Sequence, residues 1–304
     1  MGENITYEEF TQKVLKAMEA YAGDEGKATL HKVRKNNGIE LIGISIFRED
    51  SNLSPTIYLE EYYERYCNGE AFGELMLELK ECYEVHYCSQ QMDFSFYSDY
   101  EKVRGRLAYK LVNREKNEEL LREIPYVEVL NLAAVFFCRI DHETIGNGSI
   151  LIRNDHMKLW QISMENLYQD AMENTVRCYP LRVYPMSELM KEYSGESVAW
   201  DAIPMYVMTN EQKMYGAGVF LYEGVMKTMA AQLDSNLVVL PSSVHEVIVL
   251  PVESRSEARN YESMVSQINA TQVAYEEVLS DRVYYYDRET EKLTMAEDEG
   301  NENL

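Results

Sequence analysis

Positive charge is scarce in this sequence: 29 Lys and Arg stand against 52 Asp and Glu over 304 residues, a formal net charge of −23. A nucleic-acid groove and an anionic membrane surface both demand a basic patch, so direct binding to either is excluded. Long apolar runs are missing as well. The longest, 132–138, is far short of the roughly 20 residues that span a bilayer. The first ten residues hold no basic stretch followed by an apolar one, so no secretory signal is read there. Cysteine is sparse and unpatterned. Cys67, Cys82, Cys88, Cys138 and Cys178 form no C-x-x-C, and an odd number of thiols cannot all pair. That usage fits a reducing compartment, and the chain is expected to be cytoplasmic.

Signatures of chemistry are also lacking. No G-x-G-x-x-G follows a strand, and neither G-x-x-x-x-G-K-[ST] nor G-x-S-x-G occurs, so no cofactor is expected. His142-Glu143 and His245-Glu246 are His-Glu pairs without a second His at helical spacing, which excludes a zincin. Cys82 and His86 fall on one stripe of a predicted helix over 70–86. No third ligand is near in sequence, so both are read as packed side chains on the buried face and not as a metal pair.

What the sequence does hold is an ordinary supply of core, 46% hydrophobic residues, and an excess of tyrosine, 24 Tyr to 8 Phe. Such rings pack while their hydroxyls reach water or a partner. The length suits two modest domains. The expected class is α+β, in two layered units over 1–120 and 121–290, with 291–304 as a disordered acidic tail. The boundary is set by the charge-dense run 115–125, ended by Pro125. Thr6 is positioned to cap a helix over 7–21, and Asn36-Asn37-Gly38 to turn a hairpin between 28–34 and 39–47. In the second unit, strands are expected over 129–140 and 149–153, and Ser163 caps a long helix.

The stretch 237–251, L-V-V-L-P-S-S-V-H-E-V-I-V-L-P, organises the C-terminal part. Two apolar runs around Pro241-Ser242-Ser243 read as a hairpin covered on both faces. Adding a run at 218–222, helices over 224–232 and 256–268 with Ser256 as N-cap, and a strand at 283–286 gives the order β-α-β-β-α-β. That order predicts a ferredoxin-like sandwich over 205–286.

Candidate functional residues come from the same hairpin. Ser242, Ser243 and His245 are the non-acidic polar groups clustered in the most apolar part of the chain. Their connection is expected at a sheet rim, where loops carry contacts. With Glu246 they include the residue types of a nucleophile, a base and an orienter. Neighbours on a hairpin point to opposite faces, so they form no relay among themselves. The preferred reading is a non-catalytic binding or protein-interaction module whose partner is a protein or a small ligand. One alternative is a hydrolase using His245 with residues of the 141–156 unit, which carries Asp141, His142, Glu143, Asn154, Asp155 and His156. Another is an acidic decoy of a nucleic-acid-binding protein.

Several runs carry a resemblance. They are Leu240-Pro241-Ser242-Ser243-Val244-His245-Glu246-Val247, Asn269-Ala270-Thr271-Gln272-Val273-Ala274 and Val278-Leu279-Ser280-Asp281-Arg282-Val283-Tyr284. Tyr206–Lys213 (written Y-V-M-T-N-E-Q-K), Lys110-Leu111-Val112-Asn113 and Pro55-Thr56-Ile57-Tyr58-Leu59 add to them. On these, the chain resembles the domain-of-unknown-function family numbered fifty-six eighty-eight, found chiefly in gut clostridia, from about residue 7 to residue 287. The second half is more loosely similar to the YtpQ-like family. The resemblance implies a bacterial cytosolic protein of two parts and carries no activity or catalytic residue with it. In a bacterial protein the formal N-myristoylation match at Met1-Gly2-Glu3-Asn4-Ile5-Thr6 has no weight.

Overall fold

The computed structural model describes residues 5–89, 91, 93–142, 146–194 and 204–297. The chain divides into two compact units, Met1–Tyr97 with Asp141–Gly148, and Ser98–Ile140 with Ser149–Leu304.

In the first unit, Thr6 accepts the N–H of Glu9 while the Glu9 carboxylate takes the N–H of Thr6. This capping box starts helix α1, Tyr7–Ala22. Strands β1, Gly26–Arg34, and β2, Glu40–Arg48, then pair antiparallel across Asn37 and Gly38, whose φ of 58° and 72° are left-handed. Asn-Gly is the pair that adopts such angles at least strain. β3, Ile57–Tyr58, adds a short third strand, and α2, Glu60–Cys67, and α3, Phe72–His86, complete the unit. Phe10, Val14 and Met18 of α1 and Leu75, Leu79 and Tyr83 of α3 close over Ile44 and Ile46 of β2. The buried stripe of α3 therefore ends on Tyr83. Cys82 is half-buried and His86 exposed, its Nδ1 turned back 2.8 Å from the Cys82 carbonyl oxygen, which corrects their expected place on that stripe.

The second unit opens with α4, Tyr100–Val103, and β4, Leu107–Asn113. α5, Glu118–Leu121, leads to β5, Tyr126–Val129, β6, Leu132–His142, and β7, Gly146–Leu151. β6 pairs with β4, β5 and β7 in one sheet. The division expected near residue 120 thus falls inside this unit. The charged run between β4 and β5 connects two strands that share β6, and strand pairing outweighs the shift in composition.

Helices α6, Asn154–Trp160, and α7, Met164–Cys178, follow, the second capped by Ser163. Then come β8, Leu181–Pro185, α8, Met186–Ser194, β9, Tyr206–Asn210, and α9, Val225–Leu233. β10, Asn236–Leu240, and β11, Val247–Val252, are the expected hairpin, antiparallel from Asn236↔Val252 to Leu240↔Ile248. α10, Arg255–Arg259, α11, Glu262–Thr271, β12, Tyr284–Asp287, and β13, Lys292–Met295, end the fold. Ser254, not Ser256, caps α10 by accepting the Glu257 N–H.

The second sheet runs β13-β12-β10-β11-β9-β8, with the hairpin at its centre. Val238, Leu250 and Tyr285 face α10 and α11, packing with Ala258 and Val265. Val239, Val249 and Tyr284 share the other face and are fully buried, with Phe220 against the Tyr284 ring. Both faces are covered, as the unbroken apolar runs require.

Two expectations for this sheet fail. Gly218 and its neighbours form no strand but part of a 3-10 turn, Gly216–Leu221. A Cβ on Gly216 would lie 2.5 Å from the His245 carbonyl oxygen, so the glycine serves a close approach of two backbones. β9 takes the vacant first place, and every pairing in the sheet is antiparallel. β11 lies between β9 and β10, as in a split β-α-β, but the four strands run β12-β10-β11-β9 with both hairpin strands central, where a ferredoxin-like sheet has its first and third strands there, so the ferredoxin-like order is not the one found while the α+β class stands. Lys292–Met295 pair with β12, which corrects the start of the tail expected over 291–304; residues 298–304 lie outside the described residues.

Candidate functional site

The connection between β10 and β11 is not a surface turn. Residues 277–280 run against it: the Leu279 and Ser280 N–H groups donate to the Ser242 and Pro241 carbonyls, and Val244 N–H donates to Glu277. Ser243 forms a β-bridge with Val278. Ser242 and Ser243 are consequently 8% and 5% exposed, where a rim was expected.

His245 is half-buried and held from several sides. Its backbone N–H donates to Ser243 Oγ at 3.0 Å, and its carbonyl accepts from Thr209 Oγ1 at 2.8 Å. Its Nδ1 accepts the Tyr215 N–H at 3.2 Å, and the two rings stack with centroids 5.8 Å apart. Nε2 lies 3.5 Å from Glu277 Oε1. Tyr215 reaches this place through left-handed backbone, φ 54°, in a loop that the buried Asn210 amide clamps at both the N–H and the carbonyl of Met214. Beside it, burial pushes the Glu246 carboxyl up from its ordinary range. His245 and Lys213 pull it down and Glu277 adds to the rise.

A general base needs one ring nitrogen for the reacting proton and the other for an orienter. In His245 the backbone amide of Tyr215 occupies one and Glu277 faces the other. No Ser, Thr or Cys side chain is bonded to the ring among the described residues. His156, the other histidine of the hydrolase reading with described surroundings, accepts the Arg153 N–H on Nδ1, and burial lowers its pKa. The side chains of Asp141, His142 and Glu143 lie outside the described residues.

Beyond residues 277–280 the second unit opens into a cleft of about 520 Å³. Asn113, Lys116 and Asn131 line it from the β4 and β5–β6 connections, and Glu262, Ser266 and Asp281 line it from α11 and the segment before β12. Its floor is a network of buried amides and hydroxyls. Asn113 donates to the Leu279 carbonyl at 2.9 Å and accepts from the Lys116 N–H at 2.9 Å. Asn131 donates to Ser280 Oγ at 2.9 Å and accepts from Tyr284 at 2.6 Å. Burial raises the Tyr284 phenol well above its usual range, keeping it a neutral donor. Asn269 spends both amide hydrogens, on the Ser280 carbonyl at 3.0 Å and Asp281 Oδ1 at 2.7 Å. Turning that amide over would set oxygen against two oxygens, so its Oδ1 must face the other way.

Two acceptors are left over. Oδ1 of Asn269, a residue 7% exposed, and Oε1 of Glu262 are buried with no hydrogen-bond partner. Leaving such a group unmade costs about 1–3 kcal/mol, so each calls for a donor. Two other grooves differ in this respect. One of about 590 Å³ beside α5 is bordered by the pairs Arg114–Glu128 and Arg122–Glu118. One of about 330 Å³ is bordered by Tyr100 and Arg104, both bonded to Asp170. Among the described residues no group of three His, Cys, Asp or Glu side chains could hold a metal ion, and no helix is long and apolar enough to cross a membrane.

The cleft was not anticipated as a site, but its parts were visible. The runs containing Asn113, Ser242, Asn269 and Ser280 all carried the family resemblance, and hydrogen bonds join them here. Nothing in the sequence marked Asn131 or Glu262. Compared with known proteins, the chain matches the model described as Family of unknown function (DUF5688) over residues 7–288. A likeness to the YtpQ-like family is not shown. No curated protein and no solved structure matches it.

Proposed function

Because this chain belongs to the family of unknown function DUF5688, a membership that brings no activity with it, we propose that it is a non-catalytic binding module. The site is the cleft between Asn113, Asn131 and α11, and its partner is a small polar ligand. The observation that carries this reading is the cleft itself, a preformed hollow of about 520 Å³ lined by Glu262, whose Oε1 has no donor, over a floor that is otherwise hydrogen-bonded. Polar groups placed at the edge of a preformed pocket fix a ligand's orientation.

The expected contact residues take a supporting part. Ser242 holds the N–H of Leu279, whose carbonyl anchors Asn113, so the hairpin connection carries one wall of the cleft. The hydrolase reading pairs His245 with residues of the 141–156 unit, but the carboxylate beside its ring is Glu277, and with Nδ1 taken by a backbone amide the ring offers no site for a reacting hydroxyl. The decoy reading needs rows of uncompensated carboxylates. Carboxylates held by a cation, such as Glu70 and Glu78 on Arg65, cannot belong to such rows. Five free thiols agree with a reducing, cytoplasmic setting.

A panel of small polar fragments, followed by backbone amide shifts in NMR, tests the reading. Shifts centred on Ser263, Ser266 and Asp281 are expected. A panel that shifts only the His245 region, or no region, overturns it.

A further inference from the structure

We propose that Tyr215 is an acid-released latch: a proton on Nδ1 of His245 expels the Tyr215 N–H, and the tyrosine ring leaves the small apolar cluster of Ala108, Phe137 and Tyr179 that it covers. Nδ1 accepts the Tyr215 N–H at 3.2 Å. The neutral imidazole therefore carries its one hydrogen on Nε2, facing Glu277 Oε1 at 3.5 Å. A second proton has only Nδ1 to go to. It turns that atom from acceptor into donor, and two N–H groups then face each other. The charged ring and the Tyr215 bond exclude one another.

Among the described residues, the charged groups around the ring come from four places. Glu277 belongs to the 3-10 turn Tyr275–Glu277, and Glu246 is next in the chain. Lys213 comes from the loop that carries Tyr215, and Lys110 of β4 sets its Nζ 4.2 Å from the Tyr215 ring centroid. The carboxylates favour the proton and the lysines oppose it. Glu277 is half-exposed, so its pull is screened, and it acts at Nε2, where it cannot relieve the clash at Nδ1.

What gives way is the loop, not the histidine. The His245 backbone is fixed on both sides, its N–H by Ser243 and its carbonyl by Thr209 and by the close approach of Gly216. The loop holds Lys213 and Tyr215 in left-handed backbone, φ 52° and 54°, a conformation that is costly for a residue with a Cβ. Asn210 clamps Met214 on one side, and the Ala217 N–H donates to Val244 on the other. Between these anchors the bond to His245 holds the strained Tyr215 in place. Its ring packs edge-on against Phe137, centroids 5.8 Å apart, over the cluster that also holds Ala108 and Tyr179. Release uncovers apolar surface that the closed form keeps from water.

The test follows histidine ring nitrogens and backbone amides of the intact chain by NMR from about pH 8 to about pH 5, the range in which imidazole charges. At the upper end the His245 ring should show hydrogen on Nε2 and none on Nδ1. As the ring charges, the Tyr215 and Gly216 amides should shift with the same midpoint. The Tyr215 N–H should then lose about tenfold or more of its protection from exchange, the loss of one hydrogen bond. His245→Asn offers an amide oxygen in place of Nδ1 and cannot take a proton, so its Tyr215 amide should stay protected throughout. Should that variant fail to fold, Glu277→Gln decides: the linked shift persists if Nδ1 drives it and vanishes if the carboxylate does, which overturns the latch. Hydrogen on Nδ1 at the upper end, or a ring that stays neutral to the lower end, overturns it as well. So does a ring that charges without moving the Tyr215 amide, or a Tyr215 amide that still follows pH in His245→Asn.

Discussion

Two polar regions flank the same wall of the second unit, and they differ in how their groups are spent. At the β10–β11 connection the Ser243 hydroxyl and both ring nitrogens of His245 are committed to neighbours in the fold. In the cleft the amides of Asn113 and Asn131 are equally committed, yet Glu262 keeps an oxygen without a donor. The first region has the serine, histidine and carboxylate of a hydrolytic relay, and the second has no histidine or cysteine in its lining. The difference teaches that partner counts, more than residue types, separate structural polar groups from those held for something else.

The largest expected effect breaks the shared wall. Asn113→Ala removes the partner of the Leu279 carbonyl and of the Lys116 N–H in a buried place. It should lower stability by about 2–3 kcal/mol in urea unfolding. A loss below about 0.5 kcal/mol would mean that the floor of the cleft is not built on this amide.

A smaller effect separates the two regions. Ser243→Ala leaves the His245 N–H without its acceptor and should lower stability in urea unfolding by about 1 kcal/mol while leaving cleft binding as it was. Weakened binding in that variant would join what are here two regions with separate roles.

Glu246 gives a pH signature to the connection alone. Its carboxyl pKa is raised above the ordinary 4.5, mainly by burial, so the native state holds this proton more tightly than the unfolded chain does. Its contribution is therefore most favourable at low pH. That contribution declines as pH rises from the unfolded value through the folded one, and the full penalty of the buried charge remains above. Glu246→Gln should remove that declining component from a stability–pH curve. An unchanged curve would show the carboxyl to be solvated. The smallest effect is expected at Glu262, whose carboxylate has no partner to lose in the fold. Glu262→Gln should change stability by less than about 0.5 kcal/mol, where a loss above about 1 kcal/mol would make Glu262 structural.

Local elements were legible because short-range physics decides them. The Thr6 capping box, the Asn-Gly turn of β1–β2, the Ser163 cap and the 237–250 hairpin all depend on neighbours in sequence. Pairing across distance was not. The first place in the β-α-β-β-α-β order went to β9, because the run 218–222 reads as a short strand while Gly216 and Gly218 serve close approaches to the His245 backbone and the Tyr109 ring. Strand order then followed tertiary packing. The candidate site was hidden for a related reason. Ser242 and Ser243 look like a turn until residues 277–280 cover them, and the cleft draws on segments up to 169 residues apart, from Asn113 to Arg282.

The central claim is that the cleft beside α11 binds a small polar ligand, and a crystal structure of the chain grown with the fragment that gives the largest amide shifts tests it most directly. The account predicts that fragment between Lys116 and Ser266. The same fragment bound elsewhere, with the cleft left to water, would contradict it.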